Sequence, residues 1–359
     1  MKLFTCPRCR QTLHFENVLC TGCGHGLVYL PEHATMTAVI PADDDEASDL
    51  IVSVDPVLRA ERYRWCGNQI DHQACNWAVR ADDDQRFCRA CRLNEIIPDL
   101  SHPPARAAWL NLEQAKRRLL YTLMALGLPV ESQHERPEGG LAFSFMEDEP
   151  GAEKVFTGHN DGLITINIAE ADAPFREKTR QELGEAYRTL LGHFRHEIGH
   201  YYWDRLIKDS PQVPLFRELF GDFDADYDQA AGRHYGNGPP ADWPVHFVTA
   251  YASMHPWEDW AESWAHYLHM VDTLETARSF GLALRAKAPG GSERAVSTRR
   301  LAFDDFDDLS AAWIPLTVAL NSLNRSMGLG DLYPFVLSET ALRKLRFVHE
   351  VVEASARAN

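Results

Sequence analysis

The residues best suited to chemistry in this chain lie in the segment Gly192-His193-Phe194-Arg195-His196-Glu197-Ile198-Gly199-His200. His196 and His200 are four apart, so on a helix their imidazoles sit one turn apart on one face and can reach a single metal ion. Glu197 stands beside them, placed to act as general base on water that the metal activates. A catalytic zinc needs a third protein ligand and an open position, so another ligand must come from elsewhere in the chain.

The surrounding elements can be searched for it. Leu183, Tyr187, Leu190, Phe194, Ile198 and Tyr201 recur at three- and four-residue intervals, which predicts one long helix from about Arg176 to Leu206. A metzincin would place its third histidine six residues after His200, but Trp203 and Leu206 occupy the key positions. The acidic run Asp222, Asp224, Asp226 and Asp228 fails as a calcium loop, because Tyr227 and Arg233 stand where Gly and Glu are required. It reads as a loop or an acidic helix start.

The third possibility is Trp257-Glu258-Asp259-Trp260-Ala261-Glu262-Ser263-Trp264-Ala265-His266, on a helix opened by Pro256. Glu258, Glu262 and His266 share one face. A carboxylate among three tryptophans is costly unless it is paired or bound to metal. Glu262 lies mid-helix and Glu258 in a fraying first turn, so Glu262 is the expected ligand. Glu258 and His266 would then orient the ligands through hydrogen bonds. Tyr251 and His255, just ahead of this helix, are the candidate donors to a developing oxyanion, although either would serve equally as a packed or capping residue. His193 shares the face of His196 and is expected to play a supporting or packing role.

All eight cysteines precede residue 92. Cys6-Pro7-Arg8-Cys9 and Cys20-Thr21-Gly22-Cys23 form two knuckles, the pattern of a four-cysteine zinc ribbon. Cys66, Cys75, Cys88 and Cys91 suggest a second such site, with His72 as an alternative ligand. The expectation is therefore three zinc ions, one catalytic and two structural. Between the cysteine groups lies an acidic stretch that reads as a solvated linker.

The net charge of −16 argues against general nucleic-acid binding, which depends on clustered Lys and Arg. The first residues lack the apolar run of a secretory signal and no stretch is long enough to span a membrane, so a cytoplasmic location is expected. A peptide or protein is the expected substrate. The ribbons are expected to recognise a protein partner or to cover the catalytic cleft.

These pieces together resemble a known class. HExxH followed by a glutamate on a second helix is similar to the thermolysin-like gluzincins, and Glu258-Asp259-Trp260-Ala261-Glu262 resembles the third-ligand helix of lethal-factor-type proteases. His255 stands where the latter carry a catalytic tyrosine, a departure from that pattern. The whole chain looks closest to bacterial zinc-binding metallopeptidases with an N-terminal zinc ribbon. That resemblance rests on the cysteine knuckles, on Gly162 to Asn167, His196 to Trp203 and His255 to Glu262, and on Leu323-Asn324-Arg325-Ser326-Met327-Gly328.

The resemblance implies a zincin-like fold and peptidase chemistry. The expected architecture is α+β: a zinc ribbon over residues 1–35, an acidic linker over 36–60, a second four-cysteine module over 61–100, and a mostly helical catalytic domain with a small antiparallel sheet over 101–354. Within that domain Gly162 to Ala169 reads as a half-buried strand, able to pair with an extended peptide or to serve as an ordinary sheet strand. Two other readings stay open: a zinc-stabilised scaffold with an inert HExxH, and a DNA-associated protease targeted by its ribbons. An intact Glu197 and an open zinc position speak against the first, and salt-dependent DNA binding would mark the second.

Overall fold

The computed structural model describes residues 1–42, 49–149, 151, 153–287, 293–298 and 303–358. The N-terminal unit begins with the short hairpin β1 (Phe4–Thr5) and β2 (Thr12–Leu13). Five strands then form an antiparallel sheet in simple sequence order: β3 (Gly26–Leu30), β4 (Thr35–Pro41), β5 (Leu50–Ser53), β6 (Arg62–Trp65) and β7 (Ala78–Arg80). The short helix α1 (Gly67–His72) lies between the last two.

This corrects the expected linker over 36–60. Val39 and Ile51 pack with Val28, Leu30 and Tyr63 in a small apolar cluster, so β4 and β5 are held in the middle of the sheet. The acidic run itself, residues 43–48, lies outside the described residues. One sheet therefore joins the two cysteine groups, and Tyr29 N–H donates to Asn76 O at 2.7 Å across it.

The larger unit follows β8 (Asn94–Ile96) and α2 (Pro103–Ala125). Its sheet adds β9 (Ala142–Met146), β10 (Gly158–Asn160) and β11 (Leu163–Asn167), in the order β10-β11-β9-β8. The sheet is mixed rather than antiparallel: β8 and β11 both run parallel to β9, and only β10 is antiparallel. The cause is the tight hairpin at Asp161 (φ 44°) and Gly162 (φ 85°), which folds β10 onto the outer side of β11. Flanked by β10 and β9, β11 has no free edge for a peptide; the free edge on that side belongs to β10.

The expected long helix is two. Gly184, with φ 66°, ends α3 (Ala173–Leu183), and Thr189 caps a new start at α4 (Leu190–Leu206) by accepting from Gly192 N–H. There follow α5 (Val213–Phe220), α6 (Tyr227–Asn237), α7 (Trp243–His246) and the 24-residue α8 (Pro256–Ser279). A hairpin of β12 (Ala283–Lys287) and β13 (Glu293–Ser297) precedes α9 (Phe306–Ser326) and α10 (Glu339–Ala358). Asn324 and Arg325 sit at the exposed end of α9, where Arg325 pairs with Asp331 at 2.6 Å.

Helices α4 and α8 cross in close contact. A Cβ at Gly199 would stand 2.9 Å from Ala261 Cα and 3.1 Å from Trp264 Cβ, so only glycine fits there. Trp260 Nε1 donates to Gly199 O at 2.8 Å, and Tyr202 stacks on Trp264 at 4.8 Å. On the sheet side, Phe194 of α4 packs on Phe143 and Phe145 of β9. One continuous apolar core runs from Phe4 and Phe15 through α2, the sheet, α4 and α8 to Val352. Among the described residues no helix is long and apolar enough to cross a membrane.

Candidate metal centres

The first cysteine group gathers as expected, with Cys6 Sγ 3.8 Å from Cys23 Sγ and Cys9 Sγ 3.5 Å from Cys20 Sγ. Four sulfurs about 2.3 Å from a tetrahedral zinc stand about 3.8 Å apart, so the spacing fits. Cys9 is exposed. Cys66, Cys75, Cys88 and Cys91 form the second cluster and are all buried, with Cys75 and Cys88 sulfurs 3.6 Å apart. His72 stays outside it and stacks against Trp109.

Helix α2 seals this second cluster. Arg117 donates to Ala74 O at 2.6 Å, Arg106 to His72 O at 2.7 Å, and Cys91 Sγ lies 3.9 Å from Glu113. Burial works against the Arg117 guanidinium, yet Cys75, Glu113, Cys91 and Cys88 lift it above its ordinary range. A buried cation beside three of the four thiols suits a zinc tetrathiolate, which carries net negative charge. Cys88→Ser is therefore expected to lose zinc and to destabilise α2 with it, by several kcal/mol on the order of a lost structural zinc. Cys9→Ser at the exposed centre should lower the melting temperature less. Thermal melts with zinc analysis on both variants check the ranking.

In the larger unit, α4 and α8 bring together His196, His200 and Glu258. His196 Nε2 and His200 Nε2 are 3.1 Å apart, and Glu258 Oε2 is 2.9 Å from the first and 3.5 Å from the second. Nitrogen and oxygen ligands about 2.0–2.1 Å from a tetrahedral zinc would stand about 3.3 Å apart, close to this triangle. Glu258 Oε2 is buried and faces only the two imidazoles, an acceptor oxygen placed where a cation could be shared with their nitrogens. Burial alone would raise the Glu258 carboxyl; His200 and His196 reverse this and hold it well below the usual carboxylate range.

Glu258 rather than Glu262 thus faces both Nε2 atoms, an exchange of the positions expected from the sequence. Glu262 Oε1 meets the other nitrogen of His196, Nδ1, at 2.7 Å, and its Oε2 accepts from Thr249 Oγ1 at 2.7 Å. Thr249 Oγ1 in turn accepts from Ala252 N–H at 3.0 Å, which fixes the short turn Tyr251–Ser253. The first turn of α8 does not fray, because His255 Nδ1 accepts from Trp257 N–H at 3.1 Å and Pro256 follows it. Glu258 is accordingly only 2% exposed.

His255 is fully engaged, since its Nε2 also meets Ala225 O at 3.0 Å. With both ring nitrogens used for capping and bracing, it has no donor left for an oxyanion. Tyr251 is placed differently: its ring lies 5.9 Å from that of His196. Burial and then the Glu258 carboxylate raise its phenol well above the ordinary range, so it keeps its proton.

His266 hydrogen-bonds Tyr333 OH at 2.6 Å, and burial lowers its imidazole to about 4 although Glu262 pulls the other way. His193 faces Glu170 at 3.3 Å, in a cluster with Arg188. Glu197 is 8% exposed, and no protein hydrogen bond engages its carboxylate among the described residues.

Three surrounding residues had no signal in the sequence. Tyr227 OH donates to Glu258 Oε1 at 2.8 Å. Trp257 stacks on His200 with ring centroids 3.7 Å apart. His159 on β10 stacks on His200 with ring centroids 6.4 Å apart, and burial drives its imidazole down to about 3.

Fold and sites together define a protein with a zinc-ribbon unit docked on a helical domain in which two histidines and one glutamate gather at a spacing that could hold a metal ion. The chain belongs to the family described as putative zinc-binding metallo-peptidase, which matches residues 105–351. A zinc-ribbon domain family matches residues 3–102, spanning both cysteine groups. The chain is 43% identical over 357 residues to uncharacterized proteins of Mycobacterium bovis and of two strains of Mycobacterium tuberculosis, covering 99% of this chain and 96% of each relative. No solved structure matches the chain.

Proposed function

We propose that the protein is a zinc-dependent peptidase of the gluzincin type, with His196, His200 and Glu258 as metal ligands and Glu197 as general base. The observation that carries this reading is the convergence of two imidazole nitrogens and one buried carboxylate oxygen at zinc-ligand spacing. Zinc held there supplies Lewis acidity, which acidifies water and polarises a carbonyl. Glu197 takes the proton of the attacking water and passes it to the leaving amine nitrogen as the peptide bond breaks. Glu262 holds His196 by its far nitrogen and, through Thr249, sets the turn that carries Tyr251.

Tyr251 is the donor to the oxyanion, in preference to His255. Tyr251→Phe is expected to lower kcat by roughly 10²-fold, the scale of one lost oxyanion donor, with little change in KM. Steady-state kinetics on one cleavable peptide check this, and an unchanged kcat would remove Tyr251 from the mechanism.

An extended peptide has a place to bind in this reading, along the free edge of β10 beside α4, by strand addition. A free Glu197 carboxylate next to the metal ligands favours an enzyme over an inert scaffold. The test is a peptide-library digest before and after stripping the metal with a chelator. Cleavage should vanish with the metal and return with zinc; cleavage that survives full metal removal overturns the proposal.

A further inference from the structure

The reacting groups are largely buried, His196 keeping 12% of its side chain exposed. Glu258 is 2% exposed, His200 3% and Glu197 8%. A substrate chain must pass the groups that lie against them: Tyr227 of α6, Tyr251 and Trp257.

Of these, α6 is barely attached. Ala230 is its only buried residue, and Tyr235 is 65% exposed. Glycines bound the segment: Gly221 (φ 104°) before it and Gly238 (φ 77°) after it. Gly232 and Gly236 within it have open space where a Cβ would stand. Its polar attachments gather at the N-terminal end, where Tyr227 OH donates to Glu258 Oε1 at 2.8 Å and Ala225 O meets His255 at 3.0 Å, and further along His234 packs edge-on against Tyr251 at 6.0 Å. Tyr227 also packs edge-on against His255 and Trp257.

We infer that α6 is a lid over the metal site, latched by the hydrogen bond from Tyr227 to Glu258, and that access to the site requires this latch to open. A weakly packed helix between glycine hinges opens locally at small cost, whereas α4 and α8 are fixed by the core. The lid excludes water from Glu197 when closed and admits an extended chain when open. This rests on the proposed metal site but not on peptidase activity.

The test uses the zinc-loaded full chain and reads two quantities without any substrate. One is the rate at which excess dipicolinate strips zinc from the histidine site, with His200→Ala run in parallel to subtract loss from the thiolate centres. The other is amide hydrogen exchange by mass spectrometry. A gated site gives a stripping rate that rises with chelator and levels off at the opening rate. Tyr227→Phe should raise that plateau at least threefold, and amides 227–237 should exchange at least tenfold faster than those of α4 and α8. A rate that stays proportional to chelator, a plateau unmoved by Tyr227→Phe, or α6 amides as slow as those of α8 would each overturn the lid. Peptide cleavage by a protein that fails these tests would leave the peptidase reading intact and remove only the lid.

Discussion

Glu197→Gln should abolish peptide cleavage while leaving zinc in place. The substitution is isosteric, and the carboxylate it replaces has no protein hydrogen bond to lose among the described residues. The triangle of His196, His200 and Glu258 should therefore survive. What disappears is the proton acceptor for the attacking water and the donor to the leaving amine. A positioned acid–base group contributes roughly 10²–10⁴-fold, and here one residue serves both steps, so a fall in kcat near the upper end is expected. Kinetics and metal analysis on the same preparation settle it. Cleavage retained within tenfold, at full zinc content, would mean that another group moves the proton.

The second large effect separates two carboxylates one helical turn apart. Glu262→Gln should weaken zinc binding by about 10–100-fold, the usual cost of losing a carboxylate that orients a ligand histidine. Glu258→Gln should exceed that range and leave the histidine site without stoichiometric zinc, because it removes a ligand atom. Competition titrations against a chelator of known affinity give both numbers. The reverse ranking would restore Glu262 to the metal and refute the geometry of Glu258 Oε2 at 2.9 Å and 3.5 Å from the two imidazoles.

That exchange also marks where the sequence stops being readable. The paired histidines, both cysteine groups, the strand after Gly162 and the helix after Pro256 were legible because each depends on local spacing or turn chemistry. Choosing between Glu258 and Glu262 depended on whether the first turn of α8 frays. The answer came from His255, whose side chain caps that turn, and a histidine is not an obvious cap. The helix break at Gly184 was hidden because apolar residues keep helical spacing across it. The strands β4 and β5 were hidden because the acidic run between them dominates the local composition. Tyr227 carried no signal, since its role exists only when α6 lies across α8.

The single sheet that runs from β3 to β7 bears on how this protein can be divided. Its two thiolate centres look like separate modules in a string of letters, yet their strands hydrogen-bond to one another in unbroken order. A chain cut between residues 53 and 62 would separate β5 from β6 and leave a bare strand edge on both fragments, a template for intermolecular pairing. Light scattering should show such fragments aggregating even with zinc supplied. The two centres are in this sense one inheritable unit: neither can be deleted, swapped or grafted without the other.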